Sequence, residues 1–348
     1  MIVFYEVTQA CGLVCKHCRA CAQTHAHPGE LNSQEARQLI DQLAEFPSPP
    51  MLVLTGGDPL CRDDIFELIG YATQAGLEVS ITPSATPLVT EHAIRQFAEA
   101  GIHRMAISID GSTAESHDAV RGVPGSFSRS LDILHHARKM GVATQINTTL
   151  TPDNVDQLDD MAALFASLDI TLWSVFFLVP VGRAEAAGRL NAAECELAFA
   201  KLWAHSQHQP YMVKTTEAPH FRRYAIQHQH SKSLDSTSPS NEIRPKPFMP
   251  MGVNDGKGIM FVSHTGTIHP SGFMPITCGV FPQQHVVQVY QDSPIFRGLR
   301  DADRLEGKCR ACEFRNICGG SRARAYAVTG NPYAEEPDCA YLPTSMTS

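Results

Sequence analysis

Six short runs rich in β-branched and aromatic residues, each succeeded by an amphipathic stretch that stops near a glycine, constrain this 348-residue chain more than any other feature. The expected strands are Val3–Val7, Met51–Leu54, Glu78–Ile81, Arg104–Ile109, Ala143–Thr149 and Leu172–Leu178. Between them lie helical patterns such as Gln34–Glu45, Asp64–Ala75, Glu91–Ala100 and Phe127–Met140. Gly76, Gly101 and Gly141 stand where a left-handed residue would end a helix, and Asn32 with Glu35 fits a capping box. Six βα units predict an α/β fold, a parallel sheet curved into a partial (β/α)6 TIM-like barrel, with its chemistry at the C-terminal ends of the strands.

Beyond residue 185 the pattern changes. Residues 186–250 are expected to form a helical bridge, with Leu197, Phe199, Leu202 and Trp203 on its buried face, followed by a polar mobile linker over His228–Pro247. Residues 251–348 read as a second, smaller domain with strand-like pieces at Gly258–Ser263, Thr267–His269 and Val286–Tyr290 and a cysteine-rich end.

Composition narrows the partners. A formal net charge of -8 and a pI near 6.0 disfavour a nucleic-acid surface, whose phosphate contacts need clustered Lys and Arg. No apolar run of about 18 residues is present to span a membrane, and Met1 leads straight into Ile2-Val3-Phe4-Tyr5 without a signal-peptide pattern. The expectation is a cytoplasmic protein acting on a small molecule or a peptide. In a reducing compartment eleven cysteines point to metal or redox chemistry rather than disulfides.

Cys11-x3-Cys15-x2-Cys18 follows the first strand, so three thiolates project from one loop at the catalytic rim. Three soft ligands leave one iron of a 4Fe-4S cluster without a protein ligand and open to an external chelate. A structural zinc knuckle is the alternative, and Cys21 is taken as a spare thiol. This loop, together with Leu54-Thr55-Gly56-Gly57-Asp58-Pro59 after the second strand, resembles the radical S-adenosylmethionine (SAM) superfamily. The resemblance implies that SAM fills the open iron and is reductively cleaved to a 5'-deoxyadenosyl radical. It implies SAM contacts at Gly56, Gly57, Asp58 and Pro59, with the Asp58 carboxylate receiving the SAM ammonium. By position it adds Thr82, Ser84, Ser108, Asp110 and Asn147, and Leu178 near adenine.

Cys309-x2-Cys312-x5-Cys318, followed by Cys339, offers a complete set of four thiolates, for which a zinc site is the main rival to a cluster. The surrounding Lys308–Cys318, Gly319–Tyr326 and Asp338-Cys339 resemble the SPASM extension of radical SAM maturases, which implies one auxiliary 4Fe-4S cluster. Ser271 stands where a fuller motif has cysteine, so a second auxiliary cluster is not expected, and Cys61, Cys195 and Cys278 are read as structural or spare. Gly266–Pro275, the Gly-Gly-x-Arg-x-Arg-Ala run and Thr329-Gly330-Asn331 resemble the enzymes of alternative heme and denitrification-heme biosynthesis, which act on tetrapyrrole propionates.

Asp110-Gly111, His117 and Arg121-Gly122 follow the fourth strand, and Lys214–His220 with Arg222 and Arg223 lies in the bridge. Arg121, Arg222 and Arg223 suit carboxylates, and His220 suits a porphyrin iron or acid–base work. Arg121 and His220 are the candidate catalytic residues. Three functions follow: a tetrapyrrole-modifying enzyme; a peptide maturase that forms cross-links, disfavoured by a chain that starts directly at strand one; and a non-enzymatic iron–sulfur or zinc protein. Either enzyme would draw electrons from a low-potential donor such as flavodoxin or ferredoxin.

Overall fold

Ten strands form one sheet in the computed structural model, which describes residues 1–186, 188–235 and 252–347. They are β1 (Ile2–Glu6), β2 (Met51–Thr55), β3 (Glu78–Ile81), β4 (Arg104–Ser108), β5 (Thr144–Leu150), β6 (Leu172–Phe177), β7 (Met212–Thr216), β8 (Ile259–Val262), β9 (Thr267–His269) and β10 (Gly279–Val280). The spatial order is β10-β9-β8-β1-β2-β3-β4-β5-β6-β7. Pairing is parallel from β8 through β1 to β7, and β8, β9 and β10 continue antiparallel. The architecture is a partial barrel with an α/β layer outside it.

Side-chain alternation along the strands builds both faces. Val3, Tyr5, Leu52, Leu54, Val79 and Ile81 point outward into a continuous core shared with Leu39, Ile40 and Leu43 of the helix Ser33–Ala44. Each such side chain contributes roughly 1.5–3 kcal/mol by leaving water. The alternate residues Phe4, Val53, Ser80, Ser108 and Asn147 face a cavity inside the barrel. The six expected strands and four expected helices form within one or two residues of their anticipated limits. Asn32 accepts from Gln34 and Glu35 while Glu35 accepts from Asn32, and Gly76, Gly101 and Gly141 take φ of 85°, 84° and 71°.

Four expectations change. Met212–Thr216, anticipated inside a helical bridge, is a barrel strand paired with β6: Tyr211 and Val213 are buried outside while Lys214 and Thr216 face the cavity. Its inner face is polar, which conceals a strand from a search for apolar runs. Val286–Asp292 is a helix rather than a strand, because Val286 and Val289, three apart, are the buried pair and Gln42 caps the Val286 N–H. In the helix Ala192–His208, Leu197 is 70% exposed, and Cys195, Ala198, Phe199, Leu202 and Trp203 make the buried face. The start of the anticipated linker is helical, since His220–Asp235 is a helix; residues 236–247 of that linker lie outside the described residues. Among the described residues no helix is long and apolar enough to cross a membrane.

Candidate active site

Cys11, Cys15 and Cys18 lie on the loop after β1, at one end of a cavity of about 2000 Å³ that runs along the barrel interior. A bridge between Ala10 and Gln23 closes the loop, with the Cys11 N–H donating to the Gln23 carbonyl at 2.7 Å. Each thiol has a donor aimed at it. Leu13 N–H reaches Cys11 Sγ at 3.3 Å, Arg121 Nη1 reaches Cys15 Sγ at 3.6 Å and Ala22 N–H reaches Cys18 Sγ at 3.4 Å. These donors fix where the three sulfurs sit, and burial raises the Cys11 thiol in spite of its donors.

The Gly-Gly turn after β2 is seated directly on this loop. Gly57 N–H donates to the Thr8 carbonyl at 2.8 Å and Asp58 N–H to the Ala10 carbonyl at 2.6 Å. A Cβ at Gly56 would lie 2.4 Å from the Thr8 carbonyl oxygen, and one at Gly57 would lie 2.2 Å from that of Ala10. Only glycine fits both positions, and both line the cavity together with Thr82, Ser84, Ser108 and Asn147.

Four expected contacts are placed otherwise. Asp58 is fully buried, accepting from Thr86 Oγ1 at 2.6 Å, Leu60 N–H at 3.2 Å and Ser84 N–H at 3.3 Å; its carboxylate holds the turn, and neither it nor Pro59 reaches the cavity wall. Asp110 is also fully buried: Oδ1 accepts from Thr149 N–H at 2.7 Å and Oδ2 pairs with Arg121. Burial, the largest single influence, raises the Asp110 carboxyl, and Arg121, His17, the Thr149 N–H and His117 together outweigh it and lower the group. Leu178 is buried with its carbonyl turned to Arg324, and Phe176 supplies the apolar wall in its place.

Arg121 joins Asp110 to the Cys15 sulfur and so braces the cysteine loop rather than standing free for substrate. His117 is buried, accepts the Asp110 N–H at 3.1 Å and approaches Ser126 Oγ at 3.2 Å; burial lowers its pKa to about 4 and keeps it neutral. Arg223 is tied to Glu196, and Arg222 donates to the carbonyls of Ile317 at 2.9 Å and Val253 at 2.6 Å.

His220 lies away from the large cavity. It is fully buried with its ring edge on Phe199, and it lines a small void shared with Cys309, Cys312, Cys318 and Cys339. Burial lowers its pKa to about 3, so it stays neutral. In that void Cys309 Sγ accepts from Glu336 N–H at 3.2 Å and Cys318 Sγ from Gly320 N–H at 3.4 Å. Burial pushes the Cys339 thiol up to about 11 and raises Cys309 and Cys312 as well, so ionising them calls for a nearby positive charge such as iron. Among the described residues no three His, Cys, Asp or Glu side chains converge tightly enough for a single metal ion. Four thiols around one void suit a cluster that takes one thiolate per iron. Burial also pushes Cys61 and Cys278 to about 11 and Cys195 to about 12, as inert thiols.

The cavity carries cations that strand-end motifs do not reveal. Arg104, Arg183 and Lys214 line it without a carboxylate partner among the described residues. Arg183 Nε and Nη2 have no hydrogen-bond partner, and its N–H donates to the Cys18 carbonyl, which places it beside the cysteine loop. The acids on the same wall are committed: Asp169 to Arg138, Glu217 to Ser321 and Asp255, and Asp255 to the Ala323 N–H. Lys214 stands in the basic stretch Lys214–His220 already singled out in the sequence, but its inward register as the central residue of β7, like that of Arg104 at the start of β4, shows only in the sheet.

Comparison with known proteins agrees with this geometry. The model of the Radical SAM superfamily matches residues 5–165. The AdoMet-dependent heme synthase of Oleidesulfovibrio alaskensis is 40% identical over 344 residues, covering 98% of this chain and 87% of that protein. The pre-heme d1 synthase of Dinoroseobacter shibae is 30% identical over 363 residues, covering 99% and 87%. The crystal structure of Streptococcus suis SuiB bound to S-adenosylmethionine superposes with a TM-score of 0.73 at 16% identity, over 98% of this chain and 77% of that one, which establishes a shared fold. Membership brings a 4Fe-4S cluster and SAM, which the three-cysteine loop and the glycine turn are built to receive. With that loop, that turn and that similarity along the whole chain, this protein belongs to the radical SAM superfamily and is a radical SAM enzyme.

Proposed function

We propose that the enzyme acts in the cytoplasm on a carboxylate-bearing tetrapyrrole: a hydrogen atom is abstracted from a propionate side chain, the carboxylate leaves as carbon dioxide or the side chain is lost, and the electron left behind passes to a one-electron acceptor. The observation that carries this reading is the set of cations without carboxylate partners, Arg104, Arg183 and Lys214, inside a cavity that begins at the cysteine loop. In a chain of net charge -8, such unneutralised charge in a concave site suits an anionic ligand. The volume of about 2000 Å³ is well above the roughly 300–1,000 Å³ of a site for one ordinary ligand, which leaves room for SAM and a large macrocycle together. The similarity to proteins named heme synthases points the same way.

On this reading Cys11, Cys15 and Cys18 hold the SAM-binding cluster, which supplies the reductive cleavage of SAM when both are bound. Gly56, Gly57, Thr82, Ser84, Ser108 and Asn147 face SAM. Arg121, fixed by Asp110, orients the Cys15 sulfur. Cys309, Cys312, Cys318 and Cys339 hold an auxiliary 4Fe-4S cluster for electron transfer or support, and a flavodoxin or ferredoxin delivers electrons. The test is anaerobic reconstitution followed by incubation of iron coproporphyrin III with SAM and a strong reductant. The expected result is about eight irons per chain, 5'-deoxyadenosine, and a porphyrin mass lowered by carbon dioxide and two hydrogens for each propionate converted, one hydrogen carried off in 5'-deoxyadenosine and the other released as a proton. Eight irons and SAM cleavage with an unchanged porphyrin would overturn the substrate, and about four irons would overturn the auxiliary cluster.

A further inference from the structure

The geometry points to Lys214, seconded by Arg104, as the subsite that holds one substrate carboxylate on the inner wall of the barrel, away from the cysteine loop; this rests on the tetrapyrrole reading. Lys214 is the central residue of β7, level with Ser174 of β6 in the parallel ladder, and that ladder continues through Asn147 to Ser108. Its ammonium lies inside the protein and faces the cavity, with no hydrogen-bond or ion-pair partner among the described residues. Arg104 lines the same space; its guanidinium bonds Gln145 Oε1 at 3.3 Å and approaches His103 Nε2 at 3.3 Å, and the Glu78 carboxylate acts on it without forming an ion pair. Burial opposes the charge of the ammonium, and Arg222 and Arg104 repel it further, so Lys214 titrates below an ordinary lysine.

A protein that places an unpaired ammonium among cations inside its barrel sustains a cost that a bound anion relieves. The acids on this wall do not relieve it: besides burial, the groups that act on the Lys214 charge are Arg222 and Arg104. Arg183 stands at the cysteine-loop end of the same cavity. The cations are therefore spaced for a ligand whose carboxylates are distributed around its edge. A carboxylate on Lys214 would turn the opposite edge of such a ligand toward the cysteine loop, so Lys214 selects by the number and placement of acid groups as well as by charge.

The experiment measures binding of iron coproporphyrin III, a tetracarboxylate, and of its tetramethyl ester to the reconstituted holoenzyme by the Soret shift. Wild type, Lys214→Met, Lys214→Gln and Lys214→Arg are compared after matching iron content and far-UV circular dichroism. Loss of one charge-assisted hydrogen bond predicts that Lys214→Met and Lys214→Gln weaken binding of the acid by roughly ten- to a hundred-fold. Lys214→Arg is expected to remain within a few-fold of wild type, and the ester, which offers no charge, to bind all four proteins alike. If wild type binds the acid and Lys214→Met and Lys214→Gln bind it equally well, the Lys214 assignment fails while the tetrapyrrole reading stands. If wild type binds neither compound, the tetrapyrrole reading fails. A uniform loss for acid and ester alike in the Lys214 variants would make Lys214 structural, which also overturns the proposal.

Discussion

Replacing Arg324 by methionine removes the cation from a site that joins the second cysteine void to the barrel. Arg324 is 1% exposed; it pairs with Glu336 at 3.0 Å and Asp338 at 3.2 Å, and donates to the carbonyls of Phe177 at 3.2 Å and Glu217 at 2.7 Å. Methionine keeps much of the packing but leaves Glu336 buried without its counter-ion, and breaking a buried pair from one side costs about 3–5 kcal/mol. At roughly 2 °C per kcal/mol for a chain of this size, the unfolding midpoint at pH 7 should fall by about 6–10 °C. The double variant Arg324→Met/Glu336→Gln should recover about 1–3 kcal/mol of that loss, because it removes the stranded charge. The pH dependence gives a second reading. Burial alone raises the Glu336 carboxyl, but Arg324 and its neighbours hold it at about 2, below the ordinary value near 4.5. Because the folded value is depressed, the stabilisation is complete above about pH 4.5 and is lost as pH falls toward 2, and the gap corresponds to about 3 kcal/mol. Anaerobic circular dichroism melts between pH 3 and 7 would show an acid-side loss in wild type that Glu336→Gln flattens. A midpoint shift under about 2 °C for Arg324→Met, or strict additivity in the double variant, would refute the buried-pair argument.

Cys15→Ala should abolish SAM cleavage, read as 5'-deoxyadenosine by chromatography, whereas Cys278→Ala should leave it near wild type. Persistent cleavage in the first variant would contradict the catalytic loop. Gly57→Ala forces a methyl to 2.2 Å from the Ala10 carbonyl, so iron bound per chain should fall by about half while the second cysteine set stays loaded, and full loading would show the turn to be slack. Asp110→Asn leaves Arg121 without its counter-ion beside Cys15, so the electron paramagnetic resonance signal of the SAM-binding cluster should broaden or weaken, and an unchanged spectrum would separate Arg121 from that cluster.

How much was legible in the amino-acid order depends on whether a feature is local. The six βα units were readable because strand alternation, helix periodicity and the glycines at 76, 101 and 141 are short-range consequences of backbone sterics. The two cysteine groups were readable because ligand spacing within a loop survives in one dimension. The roles of charged residues were not. Asp58, Asp110, Arg121 and His220 each belong to a chemically plausible type at a plausible place, yet the first three serve as braces and His220 faces the second cysteine set, because partners 28, 39, 106 and 89 to 119 residues away in sequence decide what a buried polar group does. β7 escaped notice because its inward face is polar. By itself the sequence determined a repeating α/β chain with one incomplete and one complete set of thiols. Only the tertiary structure decided which cations remain unpaired, because neutralising a charge is a matter of distance in space, and Arg104, Arg183 and Lys214 are brought to one cavity only when the sheet curves.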